Sequence, residues 1–383
     1  MISCGEPSGD LYAGALTREI KALDPSAQIT GFGGDRLREA GASLVSDFSG
    51  LSVTGLLEVA RTLPRTYAAY RRMIADATES RPDVFVAIDF PDFNFRLARA
   101  VRSLGVPVVY YISPQLWAWR PGRMKTMKRI ADRVLVIFPF EEEIYRAAGV
   151  PVQWVGHPLL DVTAPPAPRD GFLSRHGLDP SRPVVALLPG SRRNEVRAIL
   201  PGLADAARLI RQRLPGAQFM LARAPHLSDD LFAPLAGGPD AAALDVVVVS
   251  GLADDVLAAA DVALVASGTV TVQAAVHQCP MVVVYKLSPL TYRLGRPFVQ
   301  VDTFAMVNLV AGERIVPELI QDDFTPDAVA RHALDVLTDP AAAERVRAGL
   351  RRVRHKLGEP GASRRAAQAV LDVASRNAQS ALR

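Results

Sequence analysis

The string ALLPGSRRNEV over 186–196 carries an apolar run into Pro189, Gly190, Ser191 and Arg192 before a segment of helical pattern. Those residue types in that order can build an anion site. A glycine lets backbone approach, N–H groups at a helix start point outward, and a guanidinium fork matches phosphate oxygens. The bland reading is a plain strand-to-helix turn with a solvated arginine pair. LVASGTVTVQAAV over 264–276 repeats the arrangement with Ser267, Gly268 and Thr269, whose N–H and hydroxyl groups suit the other side of a diphosphate. Capping and anion binding share this geometry, so a simple N-cap stands beside it.

A third group is the acid pair in VFVAIDFPDFNFRLA. Asp89 directly follows a buried strand, where doubly wound domains present functional side chains, and its carboxylate could take a proton from an attacking sugar hydroxyl. Asp92, beyond Pro91, reads better as a cap of the helix that follows. CGEPSGDLYAG and GFGGDRL are two glycine-rich turns, neither a full dinucleotide fingerprint, so a nicotinamide-type cofactor is excluded and no cofactor is expected. The histidines 157, 176, 226, 277, 332 and 355 show no HxH or HExxH spacing, which points away from a metal site. His157, in VGHPLLD, could face a cleft; a structural hydrogen bond is the commoner fate of a single histidine.

Two surface features could meet lipid. Arg120, Arg123, Lys125, Lys128, Arg129 and Arg133 crowd one short segment against the lone acid Asp132, which makes either a solvated helix face or a site for anionic head groups and phosphorylated substrate. LSVTGLLEVARTL gathers Leu56, Leu57, Val59 and Leu63 beside Arg61, Arg65, Arg71 and Arg72: a core-facing stripe, or an apolar patch rimmed by arginine that a monotopic enzyme presses into a bilayer.

The elements that must carry these groups are short. VFVAI at 84–88, VPVVYYI at 106–112, RVLVIF at 133–138, VVALL at 184–188, QFMLA at 218–222, DVVVVS at 245–250, DVALVA at 261–266 and PMVVVY at 280–285 are apolar on both faces and alternate with helical segments. That is the pattern of parallel sheets covered by helices, so the class is α/β. A chain of 383 residues suits two cores, and VTAPPAPRDG reads as the linker between them. We expect two Rossmann-like domains facing across a cleft: 1–161, a linker at 162–171, and 172–340. Helices over 341–383 should pack on the first domain or on a partner subunit, since SRRAAQAVLDVASRNAQSAL has Ala366, Val370, Leu371, Val373 and Ala374 on one side. MISC is a short first strand for the turn after it, so the natural start is expected further upstream.

With 49% hydrophobic and 22% charged residues the chain should fold throughout, and a net charge of +4 does not imply nucleic acid. Cys4 and Cys279 form no ligand pair or disulfide framework and read as small buried hydrophobes of a reducing compartment. No apolar run reaches membrane-spanning length, so a cytosolic protein is expected, one that can still touch a membrane.

CGEPSGD, GFGGDRLREAG, LSVTGLLEV, RPDVFVAIDFPDFN, YYISPQLWAWRPGR, FPFEEEIY, VGHPLLD, LLPGSRRNEV, ASGTVT and VNLVAGERIVPELIQ together resemble the lipid-A-disaccharide synthase family, in order from about residue 3 to the final helix. The resemblance implies a metal-independent, inverting GT-B glycosyltransferase. It would move 2,3-diacylglucosamine from its UDP form to the 6-hydroxyl of 2,3-diacylglucosamine 1-phosphate (lipid X), peripherally at the cytoplasmic face of an anionic inner membrane. In such enzymes fixed donors neutralise the leaving diphosphate. On this resemblance Arg192 matches the UDP-contacting arginine and Asp89 the base. Glu6 and Ser8 match first-loop positions, and Asn308, Glu318 and Gln321 a donor-side block. Gln273 stands where the family usually has Glu, and it accepts only through one carbonyl oxygen, so donor affinity is lower or Asn308 and Gln321 do more of the holding. The family also implies a dimer with exchanged carboxyl-terminal elements. Rival readings are a UDP-N-acetylglucosamine transferase of cell-wall synthesis, a UDP-sugar epimerase, or an inactive UDP- or lipid-binding protein.

Overall fold

Valine, isoleucine and leucine dominate the apolar runs, and each becomes a parallel strand; the faces are covered except in the edge strand formed by DVVVVS, where Val248 is exposed. The structure, a computed structural model, describes residues 1–48, 56–119, 121–232, 235, 244–287 and 303–381, with side chains at all of these except 56–62, 118, 119, 121 and 378–381. The chain divides into two units, one built on Met1–Val162 with Leu357–Arg383, the other on most of Thr163–Lys356.

The first unit holds strands β1 (Ile2–Ser3), β2 (Thr30–Gly33), β3 (Ser43–Asp47), β4 (Phe85–Ile88), β5 (Val108–Tyr111), β6 (Arg133–Val136) and β7 (Val152–Trp154), in the order β3-β2-β1-β4-β5-β6-β7. All pairings are parallel. Strand order reverses between β1 and β4, and the crevice outside the carboxyl ends of such a pair is where doubly wound sheets hold ligands. β1 is only Ile2 and Ser3, yet it pairs on both sides. The second glycine-rich string is partly strand rather than turn. Gly31 lies in β2 because a Cβ there would come within 2.3 Å of the Ile2 carbonyl oxygen, and only at Gly34 does the chain turn into the helix Asp35–Glu39.

The second unit holds β8 (Val184–Leu188), β9 (Gln218–Arg223), β10 (Val246–Ser250), β11 (Val262–Ala266), β12 (Met281–Tyr285) and β13 (Glu318–Ile320), ordered β10-β9-β8-β11-β12-β13 and again parallel. Its reversal falls between β8 and β11. The helix Arg193–Arg213 seats Val196, Ile199, Leu200, Leu203, Ala207 and Ile210 on this sheet at helical spacing, which fixes the direction of the turn before it.

The helices after 340 part company. Pro340–Lys356 packs on the helices Thr269–Val276, Met306–Ala311 and Pro326–Thr338, so it belongs to the second unit. Its Gly349 lets Ile315 approach, where a Cβ would meet the isoleucine at 3.0 Å. The division therefore lies at Leu357, not at 341. Only Ala362–Ala381 returns to the first unit, burying Ala366, Val370 and Val373 against the helix Pro7–Leu23. Asp161 fixes this return by accepting the Gly361 and Ser363 N–H groups at 2.5 and 2.6 Å, and Arg365 Nε donates to the Val155 carbonyl at 2.8 Å. Both cysteines are buried, and burial pushes the Cys279 thiol up to about 12. Among the described residues no helix is long and apolar enough to cross a membrane.

Candidate functional site

At the carboxyl end of β4, Asp89 (φ 43°) and Phe90 (φ 48°) both adopt the left-handed conformation. That region costs a non-glycine residue about 1–2 kcal/mol, so the surroundings must hold it. One side chain does much of the holding. Asn94, fully buried, directs its amide at the carbonyls of Ser3 (3.2 Å), Ile88 (3.1 Å) and Asp89 (2.9 Å), while its Oδ1 accepts the Ser3 hydroxyl at 2.6 Å. The Tyr110 hydroxyl donates to the Asp89 carbonyl as well, at 2.8 Å. β1 and β4 are thus pinned at their carboxyl ends, and Asp89 is half-buried beside them.

The same edge carries the first loop. Gly5 packs under Phe90, where a Cβ would come within 2.3 Å of the ring. Glu6 is the N-cap of the helix Pro7–Leu23 and Ser8 lies in its first turn, both half-buried. Asp10, not foreseen from the sequence, is buried and accepts the N–H groups of Gly34, Arg36 and Leu37 at 2.7, 2.9 and 3.2 Å. It locks the two glycine-rich segments together. An acid closing the glycine-rich string CGEPSGD was the available signal.

Nearby, one acid and one cation are engaged with each other. Phe90, not Asp92, is the N-cap of the helix Pro91–Ser103; Asp92 is exposed and pairs with Arg123 at 2.7 Å, whose guanidinium also lies over the Phe95 ring at 5.6 Å. Lys125, Lys128 and Arg129 line the exposed side of Met124–Ile130, which buries Met127 and Ile130. Arg120 and the side chains of Leu56 and Leu57 lie outside the described residues, whereas Leu63 is 58% and Tyr67 59% exposed. His157 is structural: its Nδ1 accepts the Leu159 N–H at 3.1 Å, and burial lowers the imidazole to about 3. Glu141 is a second unforeseen buried acid. It reaches back to the Phe138 N–H at 3.2 Å and accepts the Trp117 indole at 3.4 Å. Burial above all, with the charge of Asp89 adding, pushes it up to about 7.

In the second unit the two predicted turns follow the adjacent strands β8 and β11. Gly190 is left-handed at φ 121°. The N–H groups of Ser191 and Arg192, expected to point outward, are engaged by the chain's own Glu195, whose Oε2 accepts them at 3.2 and 3.3 Å while Oε1 pairs with Arg192 at 2.8 Å. Glutamate three residues into a helix can reach back this way, a competition the glycine and arginine alone do not reveal. Across the switch point Gly268 is the N-cap of Thr269–Val276 with no side-chain cap, Ser267 is half-buried, and Gly268 and Thr269 are exposed.

The remaining residues expected on the donor side have local partners. The Gln273 amide donates to Asp254 Oδ1 at 2.8 Å, an oxygen shared with His277 at 2.7 Å. Asn308 is buried and saturated: Nδ2 serves the Val316 carbonyl and Glu318, and Oδ1 takes the N–H groups of Ile315 and Val316. It holds a loop rather than presenting an amide. Glu318 also accepts the Phe304 N–H at 2.8 Å. Gln321, left-handed at φ 55°, accepts from the Leu287 N–H, and among the described residues its buried Nε2 has no partner.

A family model described as Lipid-A-disaccharide synthetase matches residues 1–373. A lipid-A-disaccharide synthase of Geobacter sulfurreducens is 46% identical over 376 residues, covering 97% of this chain and 96% of that protein. Among solved structures, the kitacinnamycin glycotransferase superposes with a TM-score of 0.65 at 19% identity, over 97% of this chain and 98% of that one. The UDP-GlcNAc 2-epimerase of Neisseria meningitidis, bound to UDP-GlcNAc, gives 0.63 at 11% identity, over 97% and 98%. Those two likenesses carry the fold, that of GT-B glycosyltransferases and epimerases. The first two carry more: this chain belongs to the lipid-A-disaccharide synthase family.

Proposed function

We propose that the chain transfers 2,3-diacylglucosamine from UDP-2,3-diacylglucosamine to the 6-hydroxyl of lipid X, inverting the anomeric centre and releasing UDP. One observation carries the reading at the level of chemistry. In each sheet the strand order reverses at the pair of strands whose carboxyl ends bear the chemically apt residues, Glu6 and Asp89 on β1 and β4, and Gly190–Arg192 and Ser267–Thr269 on β8 and β11.

In this reading the diphosphate lies against the Arg192 guanidinium and the uncapped start of the helix Thr269–Val276, where positive potential meets the charge that grows as UDP leaves. The Asp89 carboxylate takes the proton of the acceptor 6-hydroxyl. That oxygen bonds to the anomeric carbon as the bond from carbon to the UDP oxygen breaks, and UDP departs with the electron pair. Glu6 and Ser8 border the acceptor. Gln321, with a donor to spare, and Gln273, through its carbonyl oxygen, contact the donor, while Asn308 acts by positioning Glu318. Leu56, Leu57, Leu63, Arg120 and Arg123 make the acceptor and membrane face at the anionic inner leaflet, and the active form is a homodimer.

The test is turnover with both acylated glucosamine substrates, followed by UDP release. Asp89→Asn should cut turnover by about 10²–10⁴-fold, the scale of a positioned base, and leave UDP binding nearly intact. Wild-type turnover in that variant ends the role of Asp89, and no UDP release from the unaltered protein ends the transferase reading.

A further inference from the structure

We propose that Glu195 is a positioning residue for the donor: it holds the Gly190–Arg192 turn and the Arg192 guanidinium in the arrangement that receives the diphosphate, without touching the ligand itself. The inference rests on that turn being the diphosphate site.

Three donors converge on this one carboxylate. Oε2 takes the main-chain N–H groups of Ser191 and Arg192, and Oε1 takes the Arg192 guanidinium at 2.8 Å. The turn is shaped around it. A Cβ on Gly190 would sit 2.7 Å from both Glu195 Cβ and Oε2, so the left-handed glycine and the glutamate are one fitted pair. The platform is rigid, because Val196 and Ile199 on the same helix are completely buried. The Glu195 and Arg192 side chains are only 17% and 33% exposed, which leaves their attraction less screened than that of a surface pair. Tyr285, at the carboxyl end of β12, is close enough to feel both: burial raises its hydroxyl, with Glu195 adding and Arg192 opposing.

An arginine on a turn otherwise samples many rotamers and loses that freedom when it meets a phosphate. Pairing it beforehand takes that loss before the ligand arrives. Capping alone makes a different claim, since a glutamate that merely caps the helix matters equally whether residue 192 is arginine or alanine. Glu195→Gln separates the two. Glutamine is accepted at this capping-box position and keeps an oxygen for the main-chain N–H groups, but it brings no charge to hold a guanidinium.

The experiment measures UDP affinity by calorimetry for the full chain, Glu195→Gln, Arg192→Ala and the double variant, with donor and acceptor KM and thermal midpoints alongside. Glu195→Gln should weaken UDP binding about tenfold and raise donor KM similarly, leave acceptor KM unchanged, and have less than about a twofold effect once Arg192 is alanine, as coupled partners require. Equal loss in both backgrounds reduces Glu195 to a cap and overturns the proposal. Unchanged or tighter UDP binding in the single variant does the same, the latter marking the carboxylate as a competitor of the phosphate. An Arg192→Ala protein that binds UDP like the unaltered chain sinks the diphosphate reading itself. A weakened Arg192→Ala beside an undisturbed Glu195→Gln sinks this inference alone.

Discussion

Replacing Asn94 by alanine should release the geometry of Asp89 while leaving the helix that bears the substitution intact, since alanine is the better helix former. The change removes three donated contacts, at 3.2, 3.1 and 2.9 Å, and one accepted contact at 2.6 Å, all buried or nearly so. At about 0.5–1.5 kcal/mol net for each bond, and with two amide hydrogens shared among three carbonyls, the loss comes to about 3 kcal/mol. The left-handed conformations of Asp89 and Phe90 then lose their restraint and relax. Native-state hydrogen exchange reads this locally: protection at the amides of Val86 and Asp89 should fall about 100-fold, the equivalent of that energy if opening of this edge limits exchange. Turnover should fall by a similar factor, because displacing a catalytic group by about 1 Å costs on the order of 10²-fold. If protection stays within about threefold and turnover within about twofold of the unaltered chain, Asn94 is not what holds Asp89.

Two further outcomes follow from the same geometry. Arg192→Ala should weaken UDP binding by about 1.5–3 kcal/mol, the scale of a charge-assisted contact, measured by calorimetry; unchanged affinity removes the guanidinium from the site. Glu141, raised from 4.5 to about 7 in the folded chain, contributes stability that is complete below about pH 4.5 and declines as pH climbs through about 7. That gap is worth about 3 kcal/mol, and Glu141→Gln should flatten the decline between pH 5 and 8 in denaturant midpoints. Parallel pH profiles for the two proteins contradict it.

Much of the framework is legible in the amino-acid sequence because parallel strands buried on both faces leave a coarse mark. Runs such as VFVAI and VVALL are too apolar to face water on either side, and each lies in a strand. The turns at Gly190 and Gly268 are legible for the same reason, since the apolar runs before them end at the carboxyl edge of the sheet. What escapes is whatever depends on two distant segments meeting. The glycines of β2 look like a turn until Ile2 lies beside them. Glu141 sits within a run of three glutamates, none of which the sequence singles out, and only its place three residues into the helix Pro139–Ala147 turns it inward. Asn308 looks like a ligand-facing amide until the loop it saturates is seen. The helix Pro340–Lys356 has an apolar stripe of small residues, which says that it packs but not on which unit.

The return of Ala362–Ala381 onto the helix Pro7–Leu23 means that one unit is made from both ends of the chain and the other from its middle. During synthesis the middle is therefore whole once residue 356 has emerged. The half carrying Asp89 waits, with a bare stripe on its first helix, until Ala366, Val370 and Val373 arrive. Ribosomes stalled late on this message would release a protein with its middle unit intact and its other unit unfinished, open to proteases along that stripe.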